Sequence, residues 1–174
     1  MKEVTLSKGY KARVDDDVLE RAVTIKWCAN VKTGARSVYA QGSIPAEKTA
    51  TRNRPQRTVS THRWILGEPE GLQVDHIDGN GLNNQRHNLR VATRQQNMCN
   101  QPKYTNNTSG YKGVSFDNSS RLRPWAANIQ ANGKTKKIGR YATADLAAEA
   151  YNKAAIELHG EFTHLNVIKK VDQD

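Results

Sequence analysis

Residues 74–97 read V-D-H-I-D-G-N-G-L-N-N-Q-R-H-N-L-R-V-A-T-R-Q-Q-N, and this run decides the fold. Leu72-Gln73-Val74 forms a short strand that leads into Asp75-His76. Asp78-Gly79 is a turn signal. Ile77 to His87 is a loop crowded with Asn and Gly. Asn88 to Ala92 alternates, with Leu89 and Val91 expected on one face and Asn88 and Arg90 on the other. Thr93 followed by Gln96 makes a capping box, so a short helix starts at Arg94 and stops before Pro102. The spacing predicts strand, loop, strand, helix, with a core at 72–101.

The residue types in that unit point to chemistry. Asp75 is a hard oxygen ligand, and His76 beside it titrates near neutral pH and suits a general base. Neighbours on a strand face opposite ways, so both serve one site only where the strand ends. The Asp-Gly turn supplies that end. Asn97, in the first turns of the helix, offers a second oxygen. Two oxygens, water and a phosphate suit Mg²⁺ better than zinc. A divalent ion on a phosphate, with a histidine activating water, describes phosphodiester hydrolysis.

Two other metal motifs fail. The D-x-x-D-G start suggests a calcium loop, but the twelfth position from Asp75 is Arg86 rather than Glu. The H-E-x-x-H zinc pattern is absent. Cys28 and Cys99 form no C-x-x-C pair, so neither a structural zinc site nor a disulfide framework is expected. Asn80, Asn83 and Asn84 read as polar loop positions, and His87, His159 and His164 as structural.

Asp75-His76, then Asn88, then Asn97 resembles the HNH nuclease family, in particular phage and intron homing endonucleases of the H-N-N subtype. The resemblance implies a ββα-metal fold. It implies His76 as general base, Asp75 and Asn97 as metal ligands, and Asn88 as the residue bracing the loop that aims His76. The third signature position is often histidine; Asn97 keeps an oxygen ligand there. That leaves Mg²⁺ or Mn²⁺ as the cofactor. The stretch T-H-R-W-I-L is typical of what precedes this motif, and it places His62 and Arg63 near the site. Products with 3′-hydroxyl and 5′-phosphate ends are implied.

Downstream, Asn100 to Ser109 is polar, contains Pro102 and has no apolar period, so residues 103–109 read as a linker. Beyond it, Ala127, Ile129 and Ala131 alternate with Asn128 and Gln130, which predicts a strand over Trp125–Ala131. Asn132-Gly133 turns it into a second strand, Lys134 to Tyr141. An earlier strand is expected at Tyr111–Phe116. Thr143 caps a helix with Asp145 in its first turn and Gly160 after its end. Leu146, Ala150, Ala154 and Leu158 form one row on that helix, and Ala147, Tyr151 and Ala155 a second. The expectation is α+β: the nuclease unit (residues 1–102), then a three-stranded antiparallel sheet packed on one helix (110–168).

The sheet's exposed face should carry Asn128, Gln130 and a basic cluster, a composition suited to DNA. G-Y-K-G-V, W-A-A-N-I, I-G-R-Y-A-T-A-D-L-A-A-E-A-Y-N-K-A-A and H-G-E-F-T-H-L-N resemble the Apetala2/ERF-type DNA-binding domain over Gly110–Asn166. The resemblance implies DNA contacts from Lys112, Ser115, Trp125, Asn128, Gln130, Lys137 and Arg140, and a backbone contact from Tyr151. Arg121, Arg123 and Lys134 join them as basic neighbours. Lys137 stands where plant members often carry tryptophan, so their GC-rich target is not carried over.

The whole composition agrees. The chain has 174 residues, 27 Lys+Arg against 17 Asp+Glu, a formal charge of +10 and a mean hydropathy of −0.81. Residues 111–141 carry seven basic side chains and one acid, as do residues 31–63, whereas 142–174 carry three and six. Such segregation suits a polyanion. No apolar run approaches membrane length and no apolar signal segment opens the chain, so a cytoplasmic setting in a bacterial or phage-infected cell is expected. Upstream, short strands are expected at Val4–Leu6, Ala12–Val14, Ala22–Ala29 and Ser37–Gln41, with a helical turn at Val18–Arg21. Pro45 to Thr58 reads as a basic loop. Lys32, Arg36, Arg52, Arg54 and Arg57 are backbone-contact candidates. Together these readings predict a monomeric, site-specific endonuclease on double-stranded DNA. Nicking is favoured by one active site per chain. The competing reading is a non-catalytic DNA-binding regulator derived from such a nuclease.

Overall fold

The structure is a computed structural model that describes residues 2–31, 34, 37–46 and 56–168. Lys32, Arg36, Arg52 and Arg54 lie outside the described residues. The chain divides into two compact units, Met1–Arg94 and Gln95–Asp174. This boundary falls one helix earlier than the 103–109 stretch.

In the first unit, β1 (Lys2–Thr5) pairs antiparallel with β2 (Lys11–Val14), and alternation turns Val4, Ala12 and Val14 inward. Helix α1 (Asp16–Ala22) has Asp16 and Asp17 in its first turn, where carboxylates favour the helix dipole. A three-stranded antiparallel sheet follows, in the order β3 (Trp27–Asn30), β4 (Tyr39–Pro45), β5 (Gln56–Ser60). Helix α2 (Thr61–Ile65) continues directly from it. β6 (Gln73–His76) then pairs antiparallel with β7 (Leu89–Ala92), and α3 (Arg94–Cys99) comes next in sequence.

The core of this unit comes from its first sixty residues. Val4, Leu6, Ala12, Val14, Val18, Ala22, Trp27, Ala40, Ile44 and Val59 cluster, with Trp64 packed against them. The Trp27 indole donates to the Ala22 carbonyl at 2.8 Å and meets the Trp64 ring edge-on at 5.5 Å, so its burial leaves no orphaned donor. The β6–β7 pair buries only Val74, Leu89 and Ala92 as apolar groups. It borrows its stability from the elements before it.

Three upstream expectations change. The strand expected from Ala22 begins only at Trp27, because Ile25 N–H and the Thr24 hydroxyl bond back to Ala22 and Arg21 and close the end of α1. The basic loop expected to Thr58 is instead a strand from Gln56, paired along β4. Val91, expected to share a buried face with Leu89, is 41% exposed.

The second unit holds an antiparallel sheet ordered β10-β9-β8, from β8 (Val114–Phe116), β9 (Trp125–Ala131) and β10 (Lys134–Tyr141), packed on α4 (Ala144–His159). Asn132 and Gly133 both have positive φ (51° and 72°), as a tight hairpin turn requires. The Thr143 hydroxyl accepts from Leu146 N–H at 3.2 Å and caps α4. β8 is shorter than expected. Side chains engage the preceding residues: Asn107 Nδ2 donates to Tyr111 O, and Lys112 N–H donates to Asn166 Oδ1.

On α4 the buried row is Ala147, Tyr151 and Ala155, with Ala148 beside it, whereas Leu146 and Leu158 are 47% and 42% exposed. The row Leu146-Ala150-Ala154-Leu158 is therefore not the core face. Alanines let the helix approach the flat Ala127–Ile129 strand, and the Tyr151 ring fills the space over Gly113. A Cβ at Gly113 would stand 2.1 Å from that ring, at φ +74°. Tyr151 is 3% exposed and its hydroxyl is pushed up to about 12, chiefly by burial, so the expected backbone contact from Tyr151 is not available.

Candidate active site

β6 ends because Gly79 N–H donates to the His76 carbonyl at 2.9 Å, closing a turn at Asp78-Gly79. Two polar side chains are buried at that end: Asp75 and His76 are each 5% exposed. Across the pair, Arg90 stands opposite Asp75, and its Nε and Nη2 both donate to Asp75 Oδ2, at 3.0 and 2.8 Å. A buried carboxylate needs such a partner.

The His76 ring sits among aromatic rings. His62 meets it edge to face with centroids 5.0 Å apart, and Tyr39 lies 5.7 Å from both imidazoles. Burial lowers the His76 pKa even though the Asn84 bond and the Asp78 and Asp75 charges pull the other way. His62 falls to about 3, through burial first and then the His76 and Arg63 charges. Burial and the Asp75 charge push the Tyr39 hydroxyl up. The result is a pair of neutral imidazoles beside a carboxylate held by Arg90, and a neutral imidazole can take a proton.

The loop between the strands is pinned at many points. Asn88 donates from Nδ2 to Asp78 Oδ1 (2.9 Å) and to the Asn83 carbonyl (2.9 Å), and its Oδ1 accepts from Asp78 N–H (3.0 Å). Asn83 Nδ2 donates to Asp78 Oδ2, and Asn80 N–H to Asp78 Oδ1, both at 2.8 Å. Burial alone would raise the Asp78 carboxyl, but these bonds outweigh it and hold it below its ordinary value. The loop is also sutured to β2. Asn84 N–H donates to Arg13 O and Arg13 N–H to Leu82 O, each at 2.8 Å. Gly81 N–H donates to Ser37 Oγ at 2.7 Å, where a Cβ would stand 2.5 Å from the Val38 carbonyl.

The structure thus brings Asp75, His76, His62 and Asn88 into one neighbourhood. Arg63 is near in sequence, but its guanidinium donates to the Pro69 and Leu72 carbonyls at 2.7 Å and shapes the turn ahead of β6. Asn97 lies on α3, in the second unit. Sequence reading missed three contributors. Asn84 is 0% exposed and its Oδ1 lies 3.2 Å from His76 Nε2. Arg90 was read only as a strand position. Tyr39 comes from a distant strand, and no local signal marks it. Among the described residues, no group of three or more His, Cys, Asp or Glu side chains is arranged to hold a metal ion.

In the second unit, register sorts the expected DNA contacts. Cross-strand partners share a face. Ser115↔Ala126↔Arg140, Asn128↔Lys137 and Gln130↔Thr135 therefore lie on the face away from α4. Trp125 alternates to the other face, packed at the edge of the Val114–Ala127–Ala147 cluster and edge-on to Phe116 at 5.1 Å. Lys134, opposite Ala131, shares that second face but is exposed. Arg121 and Arg123 are exposed in the β8–β9 loop. Lys112 Nζ donates to the Cys99 and Gln101 carbonyls at 2.6 Å, which ties the end of α3 into this unit. Arg140 pairs with Asp117.

The family model described as HNH endonuclease matches residues 61–99, from the start of α2 to the end of α3. Protein 3.8 of Escherichia phage T7 is 36% identical over 109 residues, covering 62% of this chain and 88% of the phage protein. Residues 61–99 are an HNH endonuclease domain. An uncharacterized HNH endonuclease of Acanthamoeba polyphaga mimivirus is 41% identical over 100 residues, covering 58% of this chain. The chain spans half the length of that mimivirus relative. No solved structure matches the chain. The HNH match contains His62, Asp75, His76, Asn84, Asn88 and Asn97. Among the described residues, no helix is long and apolar enough to cross a membrane.

Proposed function

We propose that this protein, which carries an HNH endonuclease domain at residues 61–99, is a site-specific, homing-type endonuclease that nicks double-stranded DNA. The observation that carries this reading is His76, buried and neutral beside Asp75 at the end of β6. A histidine kept unprotonated at neutral pH suits proton abstraction from an attacking water.

The donor set also suits a divalent ion. Asp75 offers a hard carboxylate oxygen, the donor type that Mg²⁺ or Mn²⁺ takes while keeping several waters. Asp75 would hold the ion, with Asn97 as the second oxygen on the strength of its place in the motif. When bound, the ion neutralises charge at the scissile phosphate and the leaving 3′-oxygen. His76 accepts the proton of the attacking water, Arg90 orients Asp75, and Asn88 fixes the loop behind His76. The products are 3′-hydroxyl and 5′-phosphate ends.

Residues 110–168 serve as an Apetala2/ERF-like module that holds the target sequence. Their support is a basic, amide-bearing sheet face with Asn128, Gln130, Lys137 and Arg140. Tethering raises the local concentration of the nuclease unit at its site. The protein acts as a monomer in the cytoplasm of a bacterial or phage-infected cell.

The test is cleavage of supercoiled DNA carrying the gene's own genomic neighbourhood, with Mg²⁺ or EDTA. Mg²⁺-dependent open circle supports the reading. Linear product would replace nicking with paired cutting. DNA binding without any cleavage would favour the regulator reading.

A further inference from the structure

Asn84 is buried without solvent exposure, in a loop whose flanks, Ile77–Asn80 and Arg86–His87, are exposed. Its backbone is fixed by donation to the Arg13 carbonyl on β2. Its side chain is placed between two partners. Nδ2 faces the Gly81 carbonyl at 3.5 Å, and Oδ1 faces His76 Nε2 at 3.2 Å. A carbonyl only accepts, so the Gly81 side sets the amide with its NH₂ outward and its oxygen toward the ring. A ring nitrogen bonded to an amide oxygen must carry the proton.

We infer that Asn84 is a positioning residue that holds neutral His76 in its Nε2–H tautomer and so places the basic lone pair on Nδ1. The inference deepens the proposed activity and rests on it for its catalytic meaning. The tautomer itself does not depend on it. Burial of both partners makes the bond costly to leave unmade, so the ring has one orientation and one tautomer rather than a mixture. The suture to β2 also gives the N-terminal hairpin a part in aiming the histidine.

The experiment is ¹⁵N NMR of the full chain labelled at the imidazole nitrogens, with the His76 signals assigned by their loss in His76→Gln. A pyridine-type Nδ1 and a pyrrole-type Nε2 are expected. The reverse pattern, or rapid averaging between the two, overturns the inference. Asn84→Ala should turn that pattern into averaging and slow single-turnover cleavage about 10–100-fold with DNA affinity unchanged, the size seen when a supporting shell is removed. Equal rates and unchanged ring signals in Asn84→Ala would also overturn it. Should wild type not cut DNA, the activity reading fails while the ring signals still decide the tautomer.

Discussion

His62 and His76 stand edge to face, 5.0 Å between centroids and 78° between planes, one from α2 and one from β6, both buried. Neither can gain a proton without charging a buried ring beside another. With His62 at about 3 in the folded chain and 6.5 when exposed, the unfolded state binds more protons over that window. Stability is therefore full above pH 6.5 and falls as pH drops. The loss for His62 should be about 2 kcal/mol between pH 7 and pH 5. Urea unfolding at the two pH values measures it, and His62→Gln should flatten the difference.

Arg90 and Asp75 form a pair whose side chains are 10% and 6% exposed. Arg90→Ala would leave the carboxylate buried without its cation. The expected cost is about 3 kcal/mol, read as a lower urea midpoint at unchanged slope. A shift of only a few tenths would mean that water reaches Asp75 and the pair contributes little.

Gly113 allows the Tyr151 ring to lie against the strand entry, at φ +74° with 2.1 Å to any added Cβ. Gly113→Ala should destabilise the second unit by about 2 kcal/mol, combining overpacking with an unfavourable backbone. Thermal unfolding followed at the tryptophan of that unit, Trp125, would show it, and a neutral result would mean the ring moves freely.

On the outward sheet face, Lys137 and Asn128 are cross-strand partners with different expected effects. Lys137→Ala should weaken binding to all duplexes alike and reduce the salt slope by about 1. Asn128→Ala should leave the slope intact and relax sequence preference at one position, by about 1–3 kcal/mol. Binding isotherms at several salt concentrations on target and scrambled duplexes separate the two.

Much of this was legible in the sequence, for local reasons. Trp125–Ala131, Asn132-Gly133 and Thr143 carry period, turn and cap signals that depend only on neighbours, and these elements formed where expected. Asp75-His76 at a strand end was legible because a Gly turn follows at once. Long-range features were not. Nothing near Asn84 distinguishes it from Asn80 or Asn83; only β2 and the His76 ring do. β5 reads as a loop because its apolar content is the single Val59, and pairing along β4 decides it. Of the two rows expected on α4, Ala147-Tyr151-Ala155 is the buried one, and only the shape of the sheet selects it over the competing leucine stripe.

The proposed role of His76 as general base can be tested at that one residue. Wild type and His76→Ala should be compared for binding and for cleavage of supercoiled target DNA in Mg²⁺. Equal binding by both proteins and open circle from wild type alone are expected. Equal cleavage by both proteins would contradict that role.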